Sequence, residues 1–373
     1  MKDVQCCTRC VMDNRSDDTI IFDDHGVCNY CTYALSRKDS TYFPNEIGYH
    51  KLTRLVERIK LKNRNKSHDC IMGISGGLDS SYLAYLGSKF GLRILAVHVD
   101  DSFNTTIAER NIKNLCNACN IDLIIEKPDR KQFNDVTRSF FLAGLPGICN
   151  AQDNVIMAYL YKYSVKNNIR DFLSGGNFSL ESILQRGHGL NFADGYHIEA
   201  VHKIFGSVAI DSLPLISLYD RYIKFKYFYQ INSHRPLDYI DYRVDKALTE
   251  MKNECGFSYY GGKHYESILT KFAQTYYLPQ KFNLDKRKSH YSSLIISGQM
   301  TREQALQKLN DPLYESETQL RDDLKLILDA IDLSAVDFEK LMHSPPNRHT
   351  DYPHSRLISF ADTARKFRKY LEN

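Results

Sequence analysis

The 373-residue sequence has no tryptophan, no long apolar run and no marked excess of either charge. No apolar stretch reaches the roughly 18 residues that a membrane-spanning helix requires. The amino terminus, MKDVQCCTRC, lacks the apolar core of a signal peptide. We therefore expect a cytoplasmic protein without a membrane span. The 49 basic and 45 acidic side chains leave a formal net charge of +4, which gives no reason to expect nucleic acid as a partner.

Half of the 10 cysteines lie close to the amino terminus, where their spacing predicts a metal site. Two Cys-x2-Cys pairs can each form a tight turn, and together they can supply four thiolates to a tetrahedral centre. A module this short cannot bury an adequate core, so a metal would supply much of its folding energy. Four thiolates leave no open coordination position, and we therefore assign a structural Zn²⁺ to Cys7, Cys10, Cys28 and Cys31.

Short apolar segments alternate with helical patterns from residue 69 onward. The segments CIMGIS, RILAVHVD, IDLIIEK and DFLSGGN are predicted strands, and near-continuous apolar strands of this kind are typical of a parallel sheet covered on both faces. We predict an α/β fold in four parts. These are a zinc-ribbon-like module at 1–40, a helical linker at 41–68, a nucleotide-binding domain at 69–240 and a mainly helical C-terminal region at 241–373.

The fragment SGGLDSS follows the first predicted strand and opens a helix. Its glycines let the backbone approach a ligand closely, and a helix N-terminus directs N–H groups at an anion. Asp79 would repel a bare phosphate and suits a magnesium ion instead. A glycine turn without chemistry explains SGG alone, and the loop lacks the Lys-Ser/Thr of the Walker motif. We expect the phosphates of a nucleotide to contact Ser75, Gly76, Gly77, Ser80 and Ser81.

This loop resembles the SGGxDS loop of the PP-loop ATP pyrophosphatases, which include asparagine, GMP and NAD synthetases and the tRNA thiolases. The resemblance implies an adenine nucleotide alpha hydrolase-like domain that binds ATP and Mg²⁺, adenylates a carbonyl oxygen and releases pyrophosphate. It also implies that the segment HVDDSFN, beginning at His98, shapes the adenine site. In the segment LSGGNFSLES, Gly175 and Gly176 would approach the nucleotide.

The string CTRCVMDNRSDDTIIFDDHGVCNYC and the region from GGKHYES to REQAL resemble the N-acetyl sugar amidotransferases of bacterial surface-polysaccharide biosynthesis. That resemblance implies conversion of the acetamido group of a nucleotide-linked sugar into an acetamidino group, as in lipopolysaccharide O-antigen or nonulosonic acid synthesis. It also implies ammonia from a separate glutaminase subunit (HisH-like), often through a cyclase-like channelling subunit (HisF-like). Residue 2 is Lys rather than a nucleophilic Cys, so we expect no ammonia production by this chain itself.

Two polar segments of the C-terminal region are candidates for contact with the substrate. GGKHYES offers Lys263 for a phosphate and Glu266 as a base, and the basic loop KFNLDKRKSHYS offers Arg287, whose guanidinium matches phosphate bidentately. Solvated surface charge explains both segments equally well. The residues that we take as candidate catalytic groups are Ser75, Asp79, Lys263 and Arg287.

Two other functions account for parts of the sequence. A thiolase-like tRNA-modifying enzyme of the same superfamily would need an RNA-binding surface and a reactive thiol. Cys149 is the candidate thiol, but it stands alone and no basic stripe accompanies it. A non-enzymatic zinc scaffold would not need the intact SGGLDSS loop. The sequence does not indicate which sugar is used.

Overall fold

The computed structural model describes residues 4–187 and 189–357, and a five-stranded sheet lies at its centre. The strands stand in the order β3-β2-β1-β4-β5, and every neighbouring pair is parallel. The four predicted strands are present, and the predicted α/β parallel-sheet class is confirmed. The strand bounds are β1 Cys70–Gly73, β2 Ile94–Val99, β3 Asp122–Glu126, β4 Asp171–Leu173 and β5 Asn232–His234.

Helices cover the sheet and make up most of the rest of the described chain. Short π-helical segments lie at Asp220–Phe228 and Ala273–Tyr277, and 3₁₀ turns at Pro236–Tyr239 and His349–Asp351. The α-helices are α1 Asn29–Thr41, α2 Glu46–Asn63, α3 Leu78–Lys89, α4 Thr106–Cys119, α5 Arg130–Leu142, α6 Asn150–Lys166, α7 Phe178–Glu181, α8 Gly195–Phe205, α9 Val244–Cys255, α10 Ile268–Phe272, α11 Leu278–Phe282, α12 Lys286–Ser297, α13 Arg302–Lys308, α14 Glu317–Ala330 and α15 Ala335–His343.

Both faces of the central strands β1, β2 and β4 are buried, as their apolar sequences predict, whereas the edge strands β3 and β5 are partly exposed. Successive side chains of a strand point to opposite faces, and β1 shows the consequence. Met72 packs with α2, α3, α4 and α9, whereas Ile71 packs with α6. This two-sided cover explains why β1 and β2 are apolar along almost their whole length.

A second apolar core lies among helices from both halves of the chain. Phe140 and Phe141 of α5 pack with Phe272 of α10, Ile327 of α14 and Phe338 of α15. The mainly helical character of the C-terminal region is therefore confirmed. The exact domain bounds stay predictions, because α9 belongs to the predicted C-terminal region by sequence but packs on the sheet.

One local expectation needs correction. The segment KFNLDKRKSHYS is not a loop, because α12 begins at Lys286, with the Asp285 side chain accepting from the Arg287 N–H at its N-terminus.

No membrane-crossing helix is found in the described part of the chain, where none is both long and apolar enough.

Candidate active site and cysteine cluster

The glycine loop joins the carboxyl end of β1 to the first turn of α3. Gly76 has a φ of +77°, and a Cβ there would lie 2.4 Å from the carbonyl oxygen of Ala108. A Cβ on Gly77 would lie 2.4 Å from Oε1 of Glu266. A side chain at Gly76 would clash with the backbone of α4, and one at Gly77 would displace the Glu266 carboxylate. Gly76 also needs a backbone conformation that glycine adopts readily.

Hydrogen bonds hold this loop against a segment far away in the sequence. The Gly77 N–H donates to Ser75 Oγ at 3.1 Å, and Ser75 Oγ in turn donates to Glu266 Oε1 at 3.1 Å. The Leu78 N–H donates to the hydroxyl of Tyr260 at 2.7 Å. The segment 260–266 therefore covers the N-terminus of α3 and contributes directly to the candidate site.

A lysine lies between two carboxylates beside the loop. The Lys263 Nζ is 3.6 Å from Oδ2 of Asp79 and 3.0 Å from Oε1 of Glu181, and the Tyr242 hydroxyl also donates to Asp79. Burial raises the pKa of Asp79. Burial also acts to raise the pKa of Glu181, but Lys263, His264 and Arg235 together outweigh it and the pKa is lowered. Two carboxylates that converge on one cation have the chemistry to bind Mg²⁺.

Two cavities meet at the loop. The larger has a volume of about 970 Å³, and its lining includes Asp79, Gly175, Gly176, Lys263 and Arg287. The smaller, of about 510 Å³, extends along the carboxyl ends of β1 and β2 and includes His98. Open α/β folds bind ligands at this edge of the sheet. Both cavities are lined by Ser75, Ser80, His264, Glu266, Gln274 and Lys286.

The other predicted loop residues have different surroundings. His98 is buried, its Nδ1 lies 2.9 Å from the carbonyl oxygen of Ile74, and burial lowers its pKa. Gly76 faces α4, where the side chain of Asn111 donates to its carbonyl oxygen, and it lines neither cavity. Ser81 is fully buried and also lines neither. The structure thus brings Ser75, Gly77, Asp79 and Ser80 to the cavities but not Gly76 or Ser81.

Arg287 lines the larger cavity, but its guanidinium is already engaged. It forms an ion pair with Asp285 at 2.8 Å and donates to the carbonyl oxygens of Leu309 and Asp311. Lys286 lies beside it, lines both cavities, and has a pKa lowered by burial. Lys286, which was not among the predicted catalytic groups, is the less constrained cation of this pair.

Sequence reasoning missed Glu181 as a site residue. It follows the glycines of LSGGNFSLES at the end of α7, where one acidic residue carries no recognisable signal. Its place in the candidate site is seen only from the short distance between Glu181 Oε1 and Lys263 Nζ.

The four predicted zinc ligands come together in one cluster. Their sulfur atoms all lie within 4.8 Å of one another, and all four side chains are buried. A compact set of four thiols fits a tetrahedral zinc ion of the closed, structural kind. Cys6 lies outside this set and is exposed. Arg302 donates to the carbonyl oxygens of Cys7 and Cys10, which ties α13 to the cluster.

The cysteine module also contacts α12, which forms one wall of the larger cavity. The Val11 N–H donates to Ser292 Oγ at 3.3 Å, and Lys38 Nζ donates to the carbonyl oxygen of Ile296 at 3.0 Å. Lys288 of the same helix forms an ion pair with Asp13. The module is therefore part of the support of the candidate active site.

Part of the chain is similar to a known protein family. Residues 266–367 match the model of a family described as "LPS biosynthesis protein WbpG-like, C-terminal domain". No curated protein matches the sequence. Among the similar solved structures is an NMN synthetase from Francisella tularensis, with 17% identity over 58% of this chain and 88% of that chain and a TM-score of 0.29. Another is an NH3-dependent NAD synthetase from Campylobacter jejuni, with 18% identity over 71% of this chain and 97% of that chain and a TM-score of 0.31.

Proposed function

We propose that this chain is an ATP-dependent enzyme that converts the acetamido group of a nucleotide-linked sugar into an acetamidino group, with AMP and pyrophosphate as products. The observation that carries the proposal is the glycine loop at the carboxyl end of β1, where two cavities meet. The WbpG-like match over residues 266–367 supports a place in lipopolysaccharide synthesis.

ATP would occupy the smaller cavity and the loop. Its adenosine would lie along the carboxyl ends of β1 and β2 near His98, and its phosphates would reach Ser75, Ser80 and the N-terminus of α3. Asp79 and Glu181 would hold Mg²⁺, whose charge would offset that of the phosphates. Lys263, freed from these carboxylates, would reach a phosphate oxygen.

The larger cavity would hold the sugar nucleotide, because its volume of about 970 Å³ is at the upper end of ordinary ligand sites. The amide oxygen of the acetamido group attacks the α-phosphorus, so an O–P bond forms and the bond to pyrophosphate breaks. Ammonia then forms a C–N bond as the C–O bond to AMP breaks. The chain's own share is to position the reactants and to stabilise the developing charge.

Other parts of the proposal concern the cysteine cluster and the source of ammonia. The four buried thiols would hold a structural Zn²⁺, and ammonia would come from a glutaminase partner, with or without a cyclase-like subunit.

The tRNA-modifying alternative receives no support from Cys149. Burial raises the pKa of this thiol to about 12, whereas a reactive cysteine needs a lowered pKa.

The direct test is to incubate the purified chain with ATP, Mg²⁺, an ammonium salt and a set of UDP-linked N-acetylhexosamines. We expect AMP and pyrophosphate to form together with an amidine whose mass differs from that of the acetamido sugar by the exchange of O for NH. Release of ADP and phosphate, or of AMP without any change in the sugar, would contradict the proposal.

A further inference from the structure

Glu266 lies at the junction of the two cavities, and one of its oxygens is unused. The residue is only 7% exposed. Its Oε1 accepts from Ser75 Oγ at 3.1 Å and lies 3.8 Å from His264 Nδ1. Its Oε2 is buried and has no hydrogen-bond partner among residues 4–187 and 189–357. A buried carboxylate oxygen without a donor is costly, so a ligand that supplies an N–H or O–H would be favoured here.

Glu266 is suited to accept rather than to donate. Burial acts to raise its pKa, but His264 and the hydrogen bonds from Ser75 and from the backbone together outweigh this effect, and the pKa is lowered. An ionised carboxylate is an acceptor only. His264 has a φ of +65°, which is uncommon for a residue other than glycine, so the surrounding structure holds this neighbour in an unfavoured backbone conformation.

The carboxylate also has the right neighbours for the proposed reaction. It contacts Ser75 of the loop, and it lies so close to Gly77 that a Cβ on that glycine would clash with it. A substrate group that reached Oε2 would therefore lie next to the phosphates of bound ATP. Lys263 lines the same cavity and can offset the negative charge that Glu266 and the phosphates bring together.

We infer that Oε2 of Glu266 accepts a hydrogen bond from the N–H of the substrate's acetamido group, and that Glu266 is therefore a catalytic residue of adenylation. This inference rests on the proposed function. As the amide oxygen bonds to the α-phosphorus, positive charge develops on the amide nitrogen, and a carboxylate on that N–H stabilises the charge. Glu266 takes the proton when the neutral O-adenylyl imidate forms. After ammonia has displaced AMP, with one ammonia proton leaving on AMP, Glu266 returns its proton to give the amidinium product.

The test compares the wild-type chain with Glu266→Gln, which keeps the size of the side chain but removes its charge. The assay contains ATP, Mg²⁺, ammonium chloride and the UDP-linked N-acetylhexosamines. We expect kcat for pyrophosphate release to fall by about 100-fold or more, while the melting temperature and the Kd for ATP change little. Glu57→Gln, an exposed carboxylate on α2, is the matched control and should behave like the wild type.

A second variant keeps the test decisive if the glutamine form folds poorly. Glu266→Asp retains the charge but shortens the side chain, so it should keep the fold and lose part of the rate. Full activity in both variants would overturn the inference and leave the proposed function standing. Tighter ATP binding with faster turnover in Glu266→Gln would also overturn it, because Glu266 would then only occupy the place of a phosphate. A wild-type chain that releases no pyrophosphate with any of these sugars would refute the proposed function itself.

Discussion

Ser75 and Ser81 belong to one motif, but the structure separates their roles. Ser75 lines both cavities and bonds with the Gly77 N–H. Ser81 is fully buried in α3, and its hydroxyl has no partner within the described ranges. We expect Ser75→Ala to lower the rate of AMP release by about 10- to 100-fold, since a polar group at the phosphates is lost. Ser81→Ala should leave the rate nearly unchanged, and equal losses in the two variants would contradict this assignment.

A separate prediction at the scale of single residues concerns Asp79 and Glu181. If both hold Mg²⁺, each of the variants Asp79→Asn and Glu181→Gln should need a higher Mg²⁺ concentration for half-maximal ATP cleavage, with a maximal rate lowered by about 100-fold. Titration of the rate with MgCl₂ measures both effects. An unchanged Mg²⁺ requirement in Glu181→Gln would show that Lys263, rather than a metal ion, is the lasting partner of this carboxylate.

At the scale of elements, the cysteine cluster supports a wall of the candidate active site. The purified chain should contain about one zinc ion, since four thiolates complete one tetrahedral site. Cys10→Ser should lose this zinc and lower the melting temperature, because metal binding contributes to folding. Cys6→Ser is the matched control, since Cys6 is exposed and outside the cluster. Metal analysis measures the zinc content of each variant, and thermal unfolding measures its melting temperature. A Cys10→Ser variant that lacks zinc but keeps the wild-type melting temperature would argue against a structural metal.

Asp171 of β4 joins three elements through its carboxylate. Its oxygens lie 3.0 Å from Lys62 Nζ and 3.2 Å from Asn63 Nδ2 of α2, and 3.0 Å from His234 Nε2 of β5. Burial acts to raise the pKa of Asp171, but His234, Lys62 and Asn63 together outweigh it and lower the pKa from 3.8 to about 2. A group with a lowered pKa stabilises the fold above its unfolded pKa and loses that effect as the pH falls through the folded pKa.

The variant Asp171→Asn should therefore be less stable than the wild type at pH 7, by about 2 kcal/mol. The difference should shrink as the pH falls from about 4 toward 2, where the wild-type carboxylate also becomes protonated. Urea unfolding of both proteins at pH 7 and near pH 3 measures this. A difference that stays constant over this range would mean that the ionised form of Asp171 contributes nothing specific.

The elements also show what a sequence can and cannot reveal. The strands β1 and β2 were predictable because two buried faces demand unbroken apolar runs. The strand β5, Asn232–His234, was missed because it is short, polar and at the edge of the sheet. The start of α12 was taken for a loop because its basic residues hide the helical pattern. The contact between Ser75 and Glu266 spans 191 positions, a distance at which no local pattern carries information.

At the scale of the whole molecule, the larger cavity draws on many separate parts of the chain. The loop after β1, the glycines after β4, the segment 259–266 and α12 all line it, and the amino-terminal cysteine module packs behind α12. The module therefore supports the larger cavity through α12.

Loss of zinc should disturb the position of α12 and therefore raise KM for the sugar more than KM for ATP.

Four of the cysteines outside the cluster bear on the source of ammonia. A glutaminase needs an activated thiolate, yet burial raises the pKa of Cys116 to about 11 and those of Cys149 and Cys255 to about 12. Burial also raises the pKa of Cys70. None of these four thiols has the lowered pKa that a nucleophile requires.

We therefore expect the isolated chain to form the amidine with ammonium salts but hardly at all with glutamine. The rate with ammonium should rise with pH, because only the neutral free base attacks the adenylated carbon. The measurement is mass spectrometry of the sugar after incubation with ¹⁵N-labelled ammonium or ¹⁵N-amide glutamine, each supplied alone, with an ATP-free reaction as control. Efficient transfer of label from glutamine by this chain alone would show that it carries its own glutaminase activity, and a separate ammonia-supplying partner would then be unnecessary.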